Sequence, residues 1–418
     1  MVLRRGALLS AALALSACVA PSQGSRQATQ LNAAAPAPQQ SPAPQAAPGR
    51  RVAILLPLTG ANAEVGQAML KAAQLSFATP GGPPLDVQDT GGTAEGAAKA
   101  AQAALAGGAG LILGPLTNAE TGAVAAVARP AGVGVLAFTS DQAQAQPGVW
   151  TLGITPAQQV RRLLLAAQAE NKTRVTAVLP QNVFGDALAS GLTATAHGTG
   201  LPEPRIVRSA NSFTGMNDAL KEASGFASRR GAIEAEQRAA RARNDADGRR
   251  EAEEIGRRTP PPPPMDVLFL GANGDQLGQA VPLLTFYDIG PAQLRVMGPA
   301  TWAREAPRQP GLAGAWFAAP DPAAREGFQQ QYTAKYNAPA NELASLAYDA
   351  AGIARAAATP QGFPLQSLTK PEGYAGANGL LVLQPDGQVR RGLAIFEIDR
   401  GGAHIIQPAP SSLAAPGV

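Results

Sequence analysis

The stretch Val52-Ala-Ile-Leu-Leu-Pro-Leu-Thr-Gly60 decides the fold class. Its apolar start, residues 52–57, predicts a buried strand, and residues 62–77 repeat apolar side chains at helical spacing and predict a helix. The same alternation continues along the chain. Strands are predicted at 85–88, 111–113 and 133–138, and helices at 93–106 and 118–129. Strands that alternate with helices in this way form a parallel sheet with helices on both faces.

The alternation starts again after Thr155-Pro156. Helices are predicted from there to 169 and at 183–196, and strands at 174–179, 205–208, 267–270, 294–297 and 312–317. Two late runs, 380–383 and 393–398, flank the turn Pro385-Asp386-Gly387 and predict a hairpin-like extension. The sequence therefore predicts an α/β protein with two doubly wound parallel-sheet lobes.

Composition excludes several classes of protein. Of 418 residues, 45% are apolar, 15% are charged and 5% are aromatic. A wholly disordered chain would be poorer in apolar residues and more strongly charged. Lys and Arg number 34 against 30 Asp and Glu, a formal charge of +4, and no segment interleaves aromatic and basic residues. These features do not suggest a nucleic-acid partner.

Residue types that carry catalysis or bind metals are scarce. The chain has one cysteine, Cys18, and two histidines, His197 and His404, which lie far apart in sequence. An internal disulfide is therefore impossible, and a Cys/His zinc site is not expected. No nucleophile elbow, phosphate-binding loop or HExxH pattern occurs. The sequence predicts a protein that is not an enzyme, with no cofactor, no metal site and no catalytic residue.

The first fifty residues indicate export. Residues 1–17 have the pattern of a signal peptide, with Arg4-Arg5 before an apolar segment too short to span a bilayer. The end of this segment, Leu15-Ser16-Ala17-Cys18, resembles the bacterial lipobox, in which the cysteine carries the lipid; the alternative is an ordinary signal peptide with an incidental cysteine. Residues 18–49, rich in Pro, Ala and Gln, predict a lipidated tether that cannot bury a core.

We therefore expect a protein held by a lipid anchor on Cys18 at the periplasmic side of the cell envelope. A single acyl chain binds a membrane only marginally, whereas the two or three chains of a lipoprotein hold it stably. Because Val19 and Ala20 follow the cysteine, no acidic inner-membrane retention signal is present, and the outer membrane is preferred.

A charged segment interrupts the second lobe. Within 225–264, residues 229–258 hold nine basic and seven acidic side chains, and prolines follow at 260–264. Opposite charges spaced four residues apart stabilise a helix. The pairs are Glu234/Arg238, Asp245/Arg249, Glu253/Arg257 and Glu254/Arg258. The segment is predicted to be a solvated helical insertion or a disordered loop, and the alternative is a docking arm for a partner.

Several motifs together resemble one family. Over about residues 51–406 the chain is similar to the type I periplasmic solute-binding proteins, in the branch of the Leu/Ile/Val-binding proteins. The motifs that carry the resemblance are residues 52–60, Glu64-Val-Gly66, Leu113-Gly-Pro-Leu-Thr117, Asn182-Val-Phe-Gly185, Asp266-Val-Leu-Phe-Leu-Gly271 and Tyr348-Asp349. The resemblance implies two α/β lobes joined by three hinge crossings, with a ligand cleft between the lobes.

The resemblance also implies domain boundaries. Lobe one would comprise residues 50–155 plus 320–383, and lobe two residues 156–319 plus 384–407 with the insertion 225–264. Residues 408–418 would form a C-terminal tail. The hinge crossings would lie near 153–156, 318–320 and 383–385.

In the amino-acid-binding relatives, two turns of lobe one donate hydrogen bonds to the ligand carboxylate. The corresponding residues here are Thr117, Asn118, Thr139 and Ser140. Helix N-termini beyond the carboxyl ends of strands suit such an anion. Thr117 precedes Glu120 by three residues, a capping-box spacing, so its hydroxyl either caps its own helix or contacts the ligand. The turn at 139–141 is likewise either a ligand contact or a helix cap.

Lobe two contributes two further candidates by resemblance. In relatives the aromatic residue of the 182–185 motif can cover the ligand, so Phe184 either does this or packs in the core. Amino-acid binders usually place an acid after the strand that ends at Gly271, to pair with the ligand ammonium. Here that position holds Gln276, with Asp275 one residue away, and a buried ammonium without a partner is costly.

Two functions follow as hypotheses. The first is a lipoprotein that binds a small polar ligand, an amino acid or an amide-like compound, as the substrate-binding component of an ABC importer, with an ABC permease as partner. The alternative is an activator of a penicillin-binding protein, which regulates peptidoglycan synthesis through protein contact. The tether, the charged insertion and the altered acid position favour the alternative.

Overall fold

The computed structural model describes residues 49–258 and 260–413. Its strands are β1 (Arg51–Leu56), β2 (Leu85–Asp89), β3 (Ala109–Leu113), β4 (Gly134–Ala137), β5 (Val149–Thr151), β6 (Val175–Pro180), β7 (Arg205–Ser209), β8 (Val267–Leu270), β9 (Arg295–Gly298), β10 (Trp316–Ala319), β11 (Tyr374–Gly376), β12 (Gly379–Leu383), β13 (Val389–Arg391), β14 (Ala394–Asp399) and β15 (Gly402–Gln407).

The helices alternate with these strands through most of the chain. They are α1 (Ala63–Phe77), α2 (Ala94–Ala106), α3 (Asn118–Ala128), α4 (Pro156–Ala169), α5 (Val183–Thr199), α6 (Phe213–Ser224), α7 (Phe226–Ala242), α8 (Ala246–Gly256), α9 (Gly274–Phe286), α10 (Trp302–Glu305), α11 (Pro322–Tyr336), α12 (Ala344–Ala357) and α13 (Leu365–Leu368).

Lobe one is built on a parallel five-stranded sheet of order β2-β1-β3-β4-β5. Strand β1 pairs Val52 with Leu85 of β2 on one side and with Leu111 of β3 on the other. Helices α1 and α12 cover one face of the sheet, and α2 and α3 cover the other. Because both faces are covered, every residue of β1 after Arg51 is buried, as its uninterrupted apolar sequence predicts.

A small antiparallel sheet, β11-β12-β13, completes lobe one. Leu381 of β12 and Val389 of β13 belong to the same apolar core as α1 and α12. The turn at 385–387 therefore joins β12 to β13, and Leu383 pairs with Val389. The predicted pairing of 380–383 with 393–398 is wrong, because the short strand β13 occupies the position beside β12.

Lobe two is built on a seven-stranded sheet of order β15-β14-β10-β9-β8-β6-β7. The five strands β6 to β10 are parallel, while β14 and β15 add an antiparallel hairpin at one edge. Apolar clusters fill both faces, one beneath α4 and α5 and the other beneath α6 and α9. The predicted α/β class with two doubly wound lobes is confirmed, with this hairpin as an addition.

The chain passes between the lobes three times. The connections are residues 152–155 between β5 and α4, residues 320–321 between β10 and α11, and residues 392–393 between β13 and β14. The third connection lies after the predicted 383–385, because β13 still pairs with β12 in lobe one. The boundary predicted between 383 and 384 therefore moves to the end of β13.

The charged insertion forms a helical hairpin of α7 and α8. A small apolar cluster of Ile233, Ala240, Ala252 and Ile255 lies between the helices. Ion pairs Arg243–Glu251 and Arg258–Glu236 connect them in antiparallel order. Of the predicted pairs four residues apart, Glu253 and Arg257 approach to 4.0 Å, whereas Asp245 instead caps α8 at Gly248. The helical alternative therefore holds, and the disordered loop does not.

Two glycines bring helices close to the strands that precede them. A Cβ on Gly66 in α1 would lie 2.1 Å from the Pro57 carbonyl oxygen, and one on Gly185 in α5 would lie 2.0 Å from the Pro180 carbonyl oxygen. No side chain fits such a contact, so only glycine permits this spacing. Both glycines belong to motifs that carried the family resemblance.

Candidate functional site

The side chain of Thr117 is bound within its own helix. It caps α3 in a capping box, and its hydroxyl donates to Glu120 Oε2 at 2.8 Å, while its backbone N–H donates to the same oxygen at 2.9 Å. The Glu120 carboxylate is buried and also accepts from the Thr90 hydroxyl. The capping role that sequence left open is thus observed for Thr117.

Asn118 and Thr139 lie together, as the resemblance implies. The Thr139 hydroxyl donates to Asn118 Oδ1 and accepts from the backbone N–H of Asp141 at 3.0 Å. Thr139 is buried, whereas Asn118 and Ser140 are exposed. The two turns therefore form one polar patch at the carboxyl ends of β3 and β4, and Ser140 presents its hydroxyl at the surface of this patch.

The loop after β1 is held by Asp89 at the end of β2. Its carboxylate accepts from the Thr59 hydroxyl at 2.6 Å and from the backbone N–H groups of Leu58 and Gly91, each at 2.8 Å. Burial raises the pKa of Asp89, but these hydrogen bonds outweigh it and hold the pKa below its usual range. Asp89 of β2 therefore holds the loop that follows β1 in place.

In lobe two, Phe184 lies in the first turn of α5, which Asn182 caps at Gly185 with a 2.9 Å hydrogen bond. The Phe184 ring is half-buried and packs against the core beneath α4 and α5. Its neighbour Val183 is 84% exposed. The side chain therefore packs against the core, one of the two roles that the sequence left open, and its contact with a ligand stays a prediction.

Asp275 is exposed in the first turn of α9. Gln276, which stands at the expected acid position, donates to Asn211 Oδ1 at 2.9 Å. A different acid reaches this helix, since Glu305 accepts from the backbone N–H of Gly274 at 2.7 Å. The carboxylate that binds the N-terminus of α9 is therefore that of Glu305 in α10. Sequence spacing does not reveal this contact.

A cavity of about 660 Å³ lies between the lobes. Helix α11 and Glu342 of lobe one form one wall, and α4 and residues 300–305 of lobe two form the other; Ile154 and Pro320 of the hinge connections lie between them. The charged residues in the lining are Arg304, Glu305, Asp321, Arg325, Glu326 and Glu342. None of the six residues predicted to bind ligand is among the described residues that line this cavity.

One ion pair joins the lobes at the cavity. Arg304 of lobe two contacts Glu342 of lobe one, and both side chains are largely exposed. Across from them, Arg325 donates to Asn378 Oδ1 in lobe one, while Gln159 accepts from the Ala300 backbone N–H at 2.8 Å. These cavity residues were not predicted from the sequence because they belong to no motif. The one sequence feature that could have indicated them is the charged side chains just after the Asp321-Pro322 crossing.

At the hinge, the side chains of α4 contact the backbone of β13 and of the third connection. Gln158 Nε2 donates to the Val389 carbonyl at 2.7 Å, and Arg162 Nε donates to the Leu393 carbonyl at 2.8 Å. Arg391 is buried beside them and donates to the Leu152 carbonyl at 2.8 Å. The first and third connections are thus fastened to each other.

Two further properties concern the described residues alone. Across residues 49–258 and 260–413, no three side chains of His, Cys, Asp or Glu gather as a metal site would require. In the same part of the chain, no helix combines the length and the apolar character needed to cross a bilayer.

The two lobes, the three connections and the interlobe cavity define a binding protein of the two-lobed α/β class. The family model described as periplasmic binding protein matches residues 50–403, and the chain belongs to this family. This confirms the family that the motifs indicated. A comparison with curated proteins gives no match.

Solved structures of similar fold include proteins of two different roles. One is described as a branched-chain amino acid ABC transporter from Rhodospirillum rubrum, with a TM-score of 0.64, 18% identity, and coverage of 86% of this chain and 100% of that one. Another is the C-domain of LpoA from Haemophilus influenzae, a regulator of PBP1A, with a TM-score of 0.62, 14% identity, and coverage of 85% and 99%. Full-length LpoA from that organism scores 0.63 at 15% identity, and the match covers 59% of it. At these identities the likeness concerns the fold.

Proposed function

We propose that this protein binds a small polar ligand between its lobes, as the substrate-binding component of an ABC importer. The observation that carries the proposal is the interlobe cavity, to which both lobes contribute charged side chains. Its volume lies in the range of small-molecule sites. A ligand that contacts both walls would favour the closed arrangement of the lobes.

The charges in the cavity suit a ligand with both a carboxylate and an ammonium or amide group. Arg304 and Arg325 offer guanidinium donors, which bind carboxylates well. Glu305, Glu326 and Glu342 supply carboxylates for an ammonium. An acid is therefore available without Asp275, and an amino acid or amide-like compound remains the proposed ligand class.

The six residues predicted by resemblance stay part of the proposal in a secondary role. Ser140 and Asn118 are exposed on the polar patch of lobe one, and Asp275 is exposed at the start of α9. The Thr117 and Thr139 hydroxyls already donate to Glu120 and Asn118, so each would donate to a ligand carboxylate only by giving up that bond.

A thermal-shift screen of the purified protein against amino acids, amides and muropeptides tests the proposal. A ligand at one hundred times its Kd adds about 2.7 kcal/mol to the free energy of unfolding. Arg304→Gln should remove most of the shift, while Arg250→Gln, on the exposed face of α8, should leave it unchanged. If no compound in the screen raises the Tm, or if both variants respond alike, the cavity is not the ligand site.

We also propose that the mature protein is lipid-anchored through Cys18 at the envelope, with the outer membrane preferred. Cys18 and residues 18–48 of the tether 18–49 lie outside the described residues, so the support is the lipobox-like sequence. Cys18→Ser should release the protein from membranes into the soluble periplasmic fraction. Retention of that variant in the membrane fraction would contradict the anchor.

A second function is favoured by a separate observation. The hairpin of α7 and α8 carries many exposed charges around a minimal core. It is attached beside the ends of α6 and α9 through Arg229 and Phe226, and it does not line the cavity. Such a surface suits contact with another protein, as in an activator of a penicillin-binding protein. Capture of a penicillin-binding protein from membranes, lost when residues 226–256 are replaced by a short glycine linker, would favour this role over the importer.

A further inference from the structure

The two arginines that line the interlobe cavity differ in how they are held. Arg304 of lobe two is largely exposed and forms an ion pair with Glu342. Arg325 lies half-buried on α11 of lobe one, and no ion pair joins its guanidinium to a carboxylate in the described part of the chain. The positive charge of Arg325 at the cavity wall therefore has no direct counter-charge.

Arg325 is held instead by a neutral side chain. Its Nη2 donates to Oδ1 of Asn378, which lies in the turn between β11 and β12. Asn378 is 1% exposed, whereas Arg325 reaches the cavity. Because the amide carries no charge, this contact fixes the guanidinium from behind without neutralising it.

Buried neighbours determine which way the Asn378 amide points. Its Nδ2 donates to Asp349 Oδ2 and to Ser345 Oγ, each at 2.9 Å, and all three residues are buried. A guanidinium has no acceptor, so the reverse orientation would set two donors against each other at Arg325. The same rotation would set the amide oxygen against the Asp349 carboxylate. The Asn378 oxygen is therefore directed at Arg325.

The backbone of Asn378 is held as firmly as its side chain. Its N–H donates to Asp349 Oδ2 at 3.3 Å, and its carbonyl accepts from Arg391 Nη1 at 3.3 Å. Ser345 Oγ also donates to the carbonyl of Glu342 at 2.7 Å, and Glu342 lines the cavity. One buried polar network thus supports the lobe-one wall of the cavity.

This arrangement presets Arg325 for a carboxylate. A guanidinium offers five N–H donors in a rigid fork that matches carboxylate oxygens. One donor is used by Asn378, and the others have no hydrogen-bond partner among the described residues. A side chain that is already held in one position loses less conformational entropy when a ligand binds.

We propose that Arg325 binds the carboxylate of the ligand and that Asn378 is the positioning residue that holds its guanidinium for this contact. The inference rests on the proposed function of the interlobe cavity and adds to it a carboxylate subsite on lobe one. This subsite is distinct from the turns at 117–118 and 139–140, to which the resemblance assigned the carboxylate. It requires a ligand with a free carboxylate.

Calorimetric titration of the purified protein with the twenty standard L-amino acids, and separately with their α-amides, tests the subsite. Each amino acid that binds should bind at least about tenfold more tightly than its amide, because the amide loses a charge-assisted contact. Arg325→Gln should bring acid and amide to similar affinities. Arg400→Gln, at an exposed arginine in the turn between β14 and β15, is the matched control and should keep the parent preference.

Asn378→Ala tests the positioning role. It should weaken acid binding about fivefold when Arg325 is present and leave the affinity of Arg325→Gln unchanged, whereas a merely structural role would weaken both alike. Asn378→Ser is shorter and keeps a hydroxyl donor for Asp349, so it replaces the alanine variant if circular dichroism shows that the latter does not fold.

Modification by phenylglyoxal, followed by peptide mass spectrometry, measures the contact without any ligand. Arg325 should be modified severalfold faster in Asn378→Ala than in the parent, because the guanidinium is released from the amide. Arg304, largely exposed and paired with Glu342, is the internal reference and should react at its parent rate.

The outcomes separate this inference from the proposed function. Amides that bind the parent as tightly as the acids would overturn the carboxylate subsite and leave the cavity a ligand site. If none of these compounds binds the parent, both the proposed function and the subsite fail. An equal effect of Asn378→Ala with and without Arg325, or an unchanged modification rate of Arg325, would overturn the positioning role.

Discussion

Arg391 Nη1 lies 3.9 Å from Asp349 Oδ2, and both side chains are completely or almost completely buried. The Asp349 carboxylate also accepts from the Ala377 backbone N–H at 2.6 Å and from Asn378 Nδ2 at 2.9 Å. Arg391 in turn reaches the Leu152 carbonyl in the first hinge connection. One buried ion pair thus connects α12, the small sheet of lobe one and the hinge.

Removing one partner of this pair should be strongly destabilising. Asp349→Ala leaves Arg391 buried without its carboxylate, and loss of one partner from a buried pair costs about 3 to 5 kcal/mol. Urea unfolding should show this loss, whereas Glu326→Ala, an exposed acid on α11, should change the free energy of unfolding by less than about 0.5 kcal/mol. Equal stability of Asp349→Ala and its parent would mean that the pair contributes nothing to the fold.

The stability of lobe two should fall in acid through Asp266. Its carboxylate receives a two-pronged contact from Arg174, with Nη2 at 2.6 Å, and backbone hydrogen bonds from Thr173 and Arg174. The hydrogen bond from Arg174 is the largest effect and holds the pKa of Asp266 below the usual value of 3.8. A lowered pKa in the folded protein gives stabilisation that is present above that value and is lost as the pH falls through the folded value.

Asp266→Asn should therefore be less stable than the parent at pH 6 and should lose less stability between pH 6 and pH 3. Urea unfolding at both pH values measures the two slopes. Glu203→Gln, at an exposed acid, is the control and should keep the parent slope. If the free energy of unfolding falls by the same amount between pH 6 and pH 3 in Asp266→Asn and the parent, the contact of Asp266 with Arg174 does not contribute to the pH dependence of stability.

The buried carboxylate of Glu120 should matter more than the hydroxyl of Thr117. Thr117→Ala removes a helix cap, which costs about 1 kcal/mol. Glu120→Ala removes the acceptor of three donors, from Thr90 and Thr117, and leaves a cavity, so about 2 to 3 kcal/mol is expected. Thermal unfolding compares the two variants. The reverse order would mean that Thr117 has a role beyond capping.

Arg229 should fasten the charged hairpin to lobe two. Its guanidinium donates to the carbonyls of Ser224, Pro261 and Tyr287, at 2.9, 3.0 and 2.6 Å. Arg229→Ala leaves these carbonyls without their donor, which should raise hydrogen exchange in α7 and α8 more than tenfold while β6 and β8 stay protected. Arg241→Ala, exposed near the end of α7, should leave exchange unchanged. Uniform exchange across lobe two would instead mean that Arg229 supports the whole lobe.

The fold was predictable from sequence because its strands are buried on both faces. Uninterrupted apolar runs such as 52–57 mark such strands, and the intervening helices repeat at the expected spacing. The third hinge connection was less predictable. The three-residue strand β13 ends in Arg390-Arg391, and its polar sequence hides its place beside β12, where Arg391 is buried only because Asp349 neutralises it.

The candidate sites were predictable only in part, because some of their contacts join residues that are distant in sequence. Local motifs identify capping residues and turns, so the proximity of Asn118 and Thr139 followed from neighbouring strand ends. The pairing of Arg304 with Glu342 depends on how the two lobes meet. Such contacts join residues distant in sequence and have no spacing that a motif could express.

The close contacts of Gly66 with Pro57 and of Gly185 with Pro180 set the same strand-to-helix distance in each lobe. That distance is fixed by backbone atoms, so the side chains of the intervening loops, 58–62 and 181–182, do not determine it. These two glycines thus keep the helix-to-strand spacing of each lobe constant while the sequence of the connecting residues is free to change.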